Sequence, residues 1–244
     1  MPFDNLKEDI LLYYANQAEQ KIRGYIGASL LGHPCERRIW LDWKGGGAKS
    51  PTQNLAKTEL LEQGKREEKF DRGRHEESRL IKALQGAGYF LVDRQLSFSV
   101  FEENFKGHVD GIILDEYKNK YVLEIKSCQE RYFKAASKNG VQKTWHTYYV
   151  QCQMYMHFFD IGKALFLAVN KNNGEIYQEI LNRDEDEIAN NLLKITHIIS
   201  HGDNIPATLV ANDAPPPKMP CQYCEFVNFC YPEWEKNKEL YKCI

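Results

Sequence analysis

The fold is decided by Gly107-His108-Val109-Asp110-Gly111-Ile112, which is followed after a short polar turn by Leu123-Glu124-Ile125-Lys126-Ser127. Apolar residues recur at every second position in these segments, which predicts two strands. Because the side chains of a strand alternate between its faces, Glu124 and Lys126 share one face. The polar turn predicts a hairpin in which Asp110 lies across from Glu124. The sequence therefore predicts two carboxylates and a lysine at one point.

These residue types suit a divalent metal held against a phosphodiester. Magnesium and manganese prefer oxygen ligands, and one or two carboxylates with waters and phosphate oxygens complete their coordination. A neighbouring lysine can orient or deprotonate a metal-bound water, or neutralise charge that develops on phosphorus. A solvated hairpin face supplies the same residue types. The hairpin alone therefore leaves a metal site and a polar surface as alternatives.

Residues outside the hairpin favour the metal site. In chain order the matching residues are His75 in a charged helical segment, Asp110, Glu124-x-Lys126, and Gln151 with Tyr155. The last two are four residues apart, so they share one face of a helix. In this order the residues resemble the active-site motifs of the PD-(D/E)XK nuclease superfamily, in the form found in RecB-like and Cas4-like exonucleases. The resemblance covers essentially the whole chain, and Val109 stands where the looser motif has proline.

The resemblance implies metal-dependent hydrolysis of DNA. The residues it implies as ligands of manganese or magnesium are His75, Asp110, Glu124 and the backbone carbonyl of Ile125. The residues it implies as catalytic are Asp110, Glu124, Lys126, Gln151 and Tyr155. Within this set Lys126 positions the attacking water, and Gln151 with Tyr155 steers the DNA backbone.

The resemblance also implies a substrate and a setting. We expect an exonuclease that acts on single strands or duplex ends of DNA, from 5′ to 3′, in recombination, repair, phage DNA processing or CRISPR adaptation. The alternative is a non-catalytic iron-sulfur subunit that binds DNA ends. The sequence does not decide whether the chain forms a homo-oligomer or works with DNA-processing partner proteins.

The cysteines make a second argument. Cys35 stands alone near the start, and Cys221-x2-Cys224-x5-Cys230 form a triplet near the end. This one-plus-three arrangement resembles the iron-sulfur module of Cas4-like nucleases, which implies that Cys35, Cys221, Cys224 and Cys230 hold a [4Fe-4S] cluster. Four thiolates also satisfy a structural zinc, although zinc ribbons usually supply two close pairs. Seven cysteines, an odd number, and the lack of a secretory segment argue against disulfides.

Length and composition predict one domain. A chain of 244 residues that is 43% hydrophobic can bury a single sizeable core. We expect a single nuclease domain over 1–244, in which 1–56 and 213–244 form the iron-sulfur module around a catalytic core at 57–212. No apolar run is long enough to span a bilayer, so we expect a cytoplasmic protein that is not secreted. The net charge of −2 excludes a protein that coats DNA. DNA contacts must then come from local groups of basic residues, of which the candidates are Arg37, Arg38, Lys134, Lys138 and Lys143.

The periodicity predicts an α/β order. The predicted helices lie at 4–22, at a short segment that begins at Ser29 and carries Cys35, and at 57–86, 144–160 and 184–200. The predicted strands lie at 89–100, 104–114, 120–128, 163–169 and 175–181. The lysines at 134, 138 and 143 fall in a predicted loop. This order fits the restriction-endonuclease-like core of the PD-(D/E)XK fold, a mixed sheet flanked by helices, with the terminal segments joined by a four-cysteine metal centre.

Overall fold

The computed structural model describes residues 5–17, 24–45, 56–94, 96–208, 221 and 224–231. The helices are α1 (Leu6–Gln17), α2 (Ala28–Leu31), α3 (Glu36–Lys44), α4 (Lys57–Gly86), α5 (Glu130–Thr144), α6 (His146–Phe158), α7 (Glu185–Ser200) and α8 (Val227–Cys230). The strands are β1 (Ile26–Gly27), β2 (Phe90–Asp93), β3 (Ser97–Val100), β4 (Phe105–His108), β5 (Gly111–Leu114), β6 (Lys120–Cys128), β7 (Lys163–Asn170) and β8 (Ile176–Asn182).

The strands form two sheets. The main sheet has the order β2-β5-β6-β7-β8, and the smaller sheet has the order β1-β4-β3. Strands β6 and β7 run parallel, because α5 and α6 carry the chain back across the sheet between them, and the other neighbours in the main sheet are antiparallel. Strand β6 is therefore paired on both edges and lies at the centre of the sheet.

Helices cover both faces of β6. On one face Val122 packs in the same core as Cys152 of α6. On the other face Leu123 and Ile125 pack with two apolar residues of α4, Leu80 and Ile81. Because side chains alternate along a strand, Glu124 and Lys126 lie on the face of β6 that α6 covers. The predicted mixed sheet between helices is therefore present.

Two predicted strands are each divided into two. The segment predicted as a strand over 89–100 forms β2 in the main sheet and β3 in the smaller sheet. The segment predicted over 104–114 divides in the same way, into β4 and β5. In both segments the chain passes from one sheet to the other, and the two crossing points lie side by side. There the Val109 N–H donates to the Leu96 carbonyl at 3.0 Å. The alternation of residue types continues through the second break, at 109–110, whereas three polar residues, Asp93, Arg94 and Gln95, stand at the first, and the predictions wrongly extended one strand across each.

The prediction of a loop between β6 and α6 was wrong as well. Residues 130–144 form α5, which is kinked at Gly140, a residue with φ of 80°. The carboxylate of Glu179 accepts from the Val141 N–H at 2.8 Å, so it satisfies a backbone donor just after the kink. The three lysines predicted in a loop therefore lie on a helix, where Lys134 Nζ is 2.6 Å from Glu130 Oε1.

The helix predicted to start at Ser29 divides into two. Ser29 lies inside α2, and Cys35 is the N-cap residue of α3. The predicted helices at 57–86 and 184–200 and the predicted strands at 120–128, 163–169 and 175–181 agree with the structure to within two residues. The helix predicted over 4–22 is present from Leu6 to Gln17, and its last residues lie outside the described part of the chain. Among the described residues no helix is both long and apolar enough to cross a membrane.

Candidate active site

Asp110 lies at the junction where the chain passes from β4 to β5. Gly111 of β5 pairs with Leu123 of β6, so the residue before it comes level with Glu124. No ladder partner takes the Ile125 N–H on this side, and the Asp110 carboxylate accepts it at 2.7 Å. The hairpin thus brings Asp110 beside β6, as its sequence predicted. The Ile125 N–H contributes to holding the carboxylate there, and a role for the Ile125 carbonyl remains a prediction.

Glu124 and Lys126 form an ion pair on one face of β6. The Glu124 side chain is completely buried, and its Oε1 accepts from Lys126 Nζ. Its second oxygen, Oε2, is buried and has no hydrogen-bond partner among the described residues. Lys126 remains 24% exposed, and its Nζ lies 5.2 Å from the centre of the Tyr148 ring. One carboxylate oxygen at the centre of the site is therefore available to a ligand.

The electrostatics of this group favour the addition of positive charge. Burial raises the pKa of Glu124 to about 8 although Lys126 opposes the shift, and the charge of Asp110 raises it further. Burial also raises the pKa of Asp110. Burial by itself lowers the pKa of Lys126, but the two carboxylates outweigh this effect and the net direction is upward. The single positive charge of Lys126 thus does not fully compensate the two buried carboxylates. A bound divalent cation would supply the missing positive charge.

Gln151 and Tyr155 lie on α6 above the same face of β6. Gln151 Nε2 donates to the Tyr155 hydroxyl at 2.9 Å, and Gln151 Oε1 is buried with no hydrogen-bond partner in the part of the chain that the structure describes. Burial and the neighbouring Glu124 raise the pKa of Tyr155. The structure therefore brings Tyr155 within electrostatic range of the carboxylates, with Gln151 hydrogen-bonded to it, and both side chains are nearly enclosed by protein.

His75 occupies a different position. Its side chain is 80% exposed, and its Nε2 lies 3.3 Å from Asp71 Oδ2 on the same helix. In the described part of the chain it forms no hydrogen bond or ion pair with Asp110 or Glu124. Its role as a metal ligand remains a prediction, and it requires a different side-chain position from the one described.

Glu77 of α4 lies within electrostatic range of Asp110 and Glu124, and it was not among the predicted site residues. Its side chain is half-buried; burial raises its pKa, and the charge of Asp110 adds to the effect. Glu77 is three and four residues before Leu80 and Ile81, which pack against β6, so it shares their face of α4. The spacing of Glu77 from Leu80 and Ile81 was the feature of the sequence from which its position near β6 could have been predicted.

Raising the pH through about 8 is expected to destabilise the metal-free protein. The pKa of Glu124 is raised to about 8 from an ordinary value of 4.5, so between these values the folded chain holds a proton that the unfolded chain has lost. This contribution to stability is fully present below pH 4.5 and is lost as the pH rises to and through about 8, at up to about 1.4 kcal/mol per pH unit. Urea unfolding in metal-free buffer from about pH 5 to about pH 9 measures it. Glu124→Gln should flatten this dependence, and an unchanged slope in that variant would contradict the assignment.

The four cysteines of the predicted metal centre line one small cavity. Cys35 reaches it from the N-cap of α3, and Cys221, Cys224 and Cys230 reach it from the C-terminal segment around α8. All four are free thiols. Burial raises the pKa of Cys221 and of Cys230. The structure therefore brings together residues that are far apart in the sequence.

Arg38 links the two sides of this cysteine cavity. Its guanidinium donates to Glu225 Oε1 at 2.6 Å and to Cys224 Sγ at 3.7 Å, and it lies 5.3 Å from the centre of the Phe226 ring. Arg37 contacts the ring of Phe229 in a similar way, at 5.7 Å. These two arginines were predicted as DNA contacts, and in the structure they hold α3 against the C-terminal segment. Their positive charge also suits a group of thiolates.

Solved structures resemble this chain in fold, although their sequences differ widely from it. No protein-family profile and no curated protein matches the chain. An alkaline exonuclease from Laribacter hongkongensis, LHK-Exo, superposes with a TM-score of 0.52 at 15% identity, over 74% of this chain and 88% of that one. A complex of LHK-Exo with dAMP gives 0.52 at 13% identity, over 80% and 91%. A protein named SSO0001 gives 0.52 at 18% identity, over 92% and 96%. The chain is therefore similar in fold to an exonuclease.

Proposed function

We propose that this chain is a DNA exonuclease that depends on a divalent metal. The observation that carries the proposal is the convergence of Asp110, Glu124 and Lys126 beside a buried, unpartnered carboxylate oxygen. Two desolvated carboxylates with raised pKa values are costly unless they bind a cation. The fold that the chain shares with an alkaline exonuclease supports DNA as the substrate.

The residues present fit manganese or magnesium. Asp110 and Glu124 would supply carboxylate oxygens, and Glu77 lies close enough to contribute to the charge of the site. The metal, when bound, supplies a Lewis acid for the phosphate and lowers the pKa of a bound water. Lys126 retains its proton, and its partly exposed ammonium can hold the attacking water or neutralise charge on a phosphate oxygen.

We further propose a Cas4-like enzyme that degrades single strands from 5′ to 3′. Gln151 and Tyr155 share the face of the carboxylates and carry a buried amide oxygen and a hydroxyl suited to hydrogen bonds. They would orient the DNA backbone relative to Lys126.

The experiment is digestion of single-stranded DNA labelled at its 5′ or its 3′ end, with manganese or with chelator. We expect metal-dependent release of the label, first from the 5′ end. Asp110→Asn should lower the rate by at least about 100-fold, because it removes a ligand charge. Glu116→Gln, which removes an exposed carboxylate from the turn of the same hairpin, is the matched control. An inert wild-type chain that still binds DNA ends would favour the non-catalytic alternative.

We also propose that Cys35, Cys221, Cys224 and Cys230 hold a [4Fe-4S] cluster. The support is that four free thiols, one from α3 and three from the C-terminal segment, line one cavity beside two arginines. Four cysteine thiolates are the ligand set such a cluster requires. Anaerobic purification should give a coloured protein that contains iron and sulfide. A colourless protein with one zinc ion per chain would replace the cluster with a structural zinc site.

A further inference from the structure

A second group of metal-ligating side chains lies outside both sites described above. Glu36, His197 and His201 each offer one ligand atom, and these three atoms lie within 4.8 Å of one another. His197 and His201 stand four residues apart at the end of α7, so their rings share one face, with centres 4.9 Å apart. Glu36 comes from the first turn of α3, and its Oε2 lies 2.7 Å from His197 Nδ1. Two helices thus bring two imidazoles and a carboxylate together.

Contacts on both sides of the group fix the two helices relative to each other. Before it, Lys194 Nζ donates to the carbonyls of Leu31 at 2.8 Å and His33 at 2.6 Å. After it, the indole N–H of Trp40 donates to the Gly202 carbonyl at 3.1 Å. The backbone positions of the three candidate ligands are therefore set by contacts that do not involve their own side chains. Such preorganisation lowers the entropic cost of binding an ion.

From this geometry we infer a binding site for a divalent transition metal of the zinc class, formed by Glu36, His197 and His201. Two imidazole nitrogens and one carboxylate oxygen are a known ligand set for zinc, which completes its coordination with water. Ligand atoms around a tetrahedral zinc lie about 3.3 Å apart, so the partly exposed side chains need only small rotations to close on the ion. The bound ion would connect the start of α3 to the end of α7.

The position of this site beside Cys35 means that a bound ion would affect the stability of the fold. Glu36 directly follows Cys35, so an ion on Glu36 would also hold the residue that carries a candidate cluster ligand. The histidine and carboxylate donors are separate from the four thiols, and the site is separate from the carboxylates at Asp110 and Glu124. Binding of zinc should therefore stabilise the fold without a direct effect on the chemistry of DNA cleavage.

The test is zinc binding to the full-length chain, compared with His197→Ala and His201→Ala. Equilibrium dialysis against zinc should show one ion per chain fewer in each variant, and zinc should raise the thermal midpoint of the wild type more than that of the variants. Because the thiols and the nuclease carboxylates are the same in all three proteins, the difference reports this site alone. Circular dichroism before zinc is added verifies that the variants fold.

Two further variants sharpen the result. Glu36→Gln keeps a hydrogen-bonding group for His197 but removes the ligand charge, so it should weaken zinc binding without disturbing the fold. His146→Ala removes an exposed histidine whose Nε2 lies 3.5 Å from Glu187 Oε1, outside the proposed site, and it should bind as much zinc as the wild type. Equal zinc content and equal thermal shifts in the wild type and both histidine variants of the site would overturn the inference. An equal loss in His146→Ala would overturn it as well.

Discussion

Replacing Lys126 with methionine is expected to abolish DNA cleavage and to lower the free energy of unfolding by about 3 kcal/mol. The change removes the ammonium that donates to Glu124, a carboxylate that is completely buried and whose other oxygen has no partner among the described residues. Breaking a buried ion pair costs about 3 to 5 kcal/mol. Because the pKa of Glu124 is raised to about 8, much of the folded chain already carries a proton on this carboxyl near neutral pH, and the expected value therefore lies at the lower limit. The loss of activity would follow from the proposed role of the Lys126 ammonium in holding the attacking water or neutralising charge on a phosphate oxygen.

The double variant Glu124→Gln with Lys126→Met separates the two effects. With both changes Asp110 remains as a buried carboxylate, whereas Lys126→Met leaves Asp110 and Glu124 together without the ammonium, so we expect the double variant to be more stable than Lys126→Met alone. It should remain inactive, because it lacks both a metal ligand and the lysine. Urea unfolding and the end-label assay, run on the same preparations, measure the two quantities.

Lys120→Met provides the matched control, because it removes an exposed ammonium from the first residue of the same strand. Its stability and activity should be those of the wild type. Cleavage that survives in Lys126→Met would contradict the role given to this lysine. A double variant that is less stable than the single one would contradict the ion-pair argument and leave the role in cleavage to be judged separately.

The part of this site that could be predicted from sequence is the part that depends on local geometry. The period of two fixes Glu124 and Lys126 on one face of β6, and the polar turn fixes Asp110 opposite them. Glu77 was missed because its position depends on how α4 packs on β6. His75 matched a motif in the sequence, yet its side chain points to Asp71 instead. A motif identifies candidates, whereas the phase of a helix decides which of them faces the sheet.

The points where the chain passes from one sheet to the other could not be predicted from local patterns either, because they depend on how distant segments pair. Each of the segments 89–100 and 104–114 has the composition of one continuous strand, and only the pairing between them reveals where both break. Residues 130–144 contain glycine, serine and three lysines, which reads as a loop. Tertiary contacts such as that of Glu179 with the Val141 N–H nevertheless support a kinked helix there. Propensity is a weak guide where packing decides.

The closeness of the four cysteines illustrates the opposite case, in which spacing in the sequence indicated a contact over a long distance. Nothing local places Cys35 beside Cys221. The one-plus-three pattern predicted it, and the structure brings the four thiols to one cavity with Arg38 between the two sides.

Replacing Cys35 with serine is expected to lower the iron content and the thermal midpoint more than any single replacement in the C-terminal triplet. Cys35 is the one candidate ligand on the α3 side, so without it a cluster held by the triplet no longer connects α3 to the C-terminal segment. Cys230→Ser keeps ligands on both sides of the cavity and should lose less. Because a cluster bound only by the folded chain adds its binding free energy to folding, the thermal midpoint should follow the iron content.

Cys128→Ser is the matched control, because it replaces a half-buried thiol of β6 that lies outside the cavity. Its iron content and midpoint should equal those of the wild type. Arg38→Ala separates the cluster from the other contacts of this region, since it removes the salt bridge to Glu225 and leaves all four thiols. It should keep its iron and lose some stability. If Cys35→Ser retained the full iron content while Cys128→Ser lost it, the four-cysteine centre would be wrong, and Arg38 with its aromatic contacts would remain as the link between α3 and the C-terminal segment.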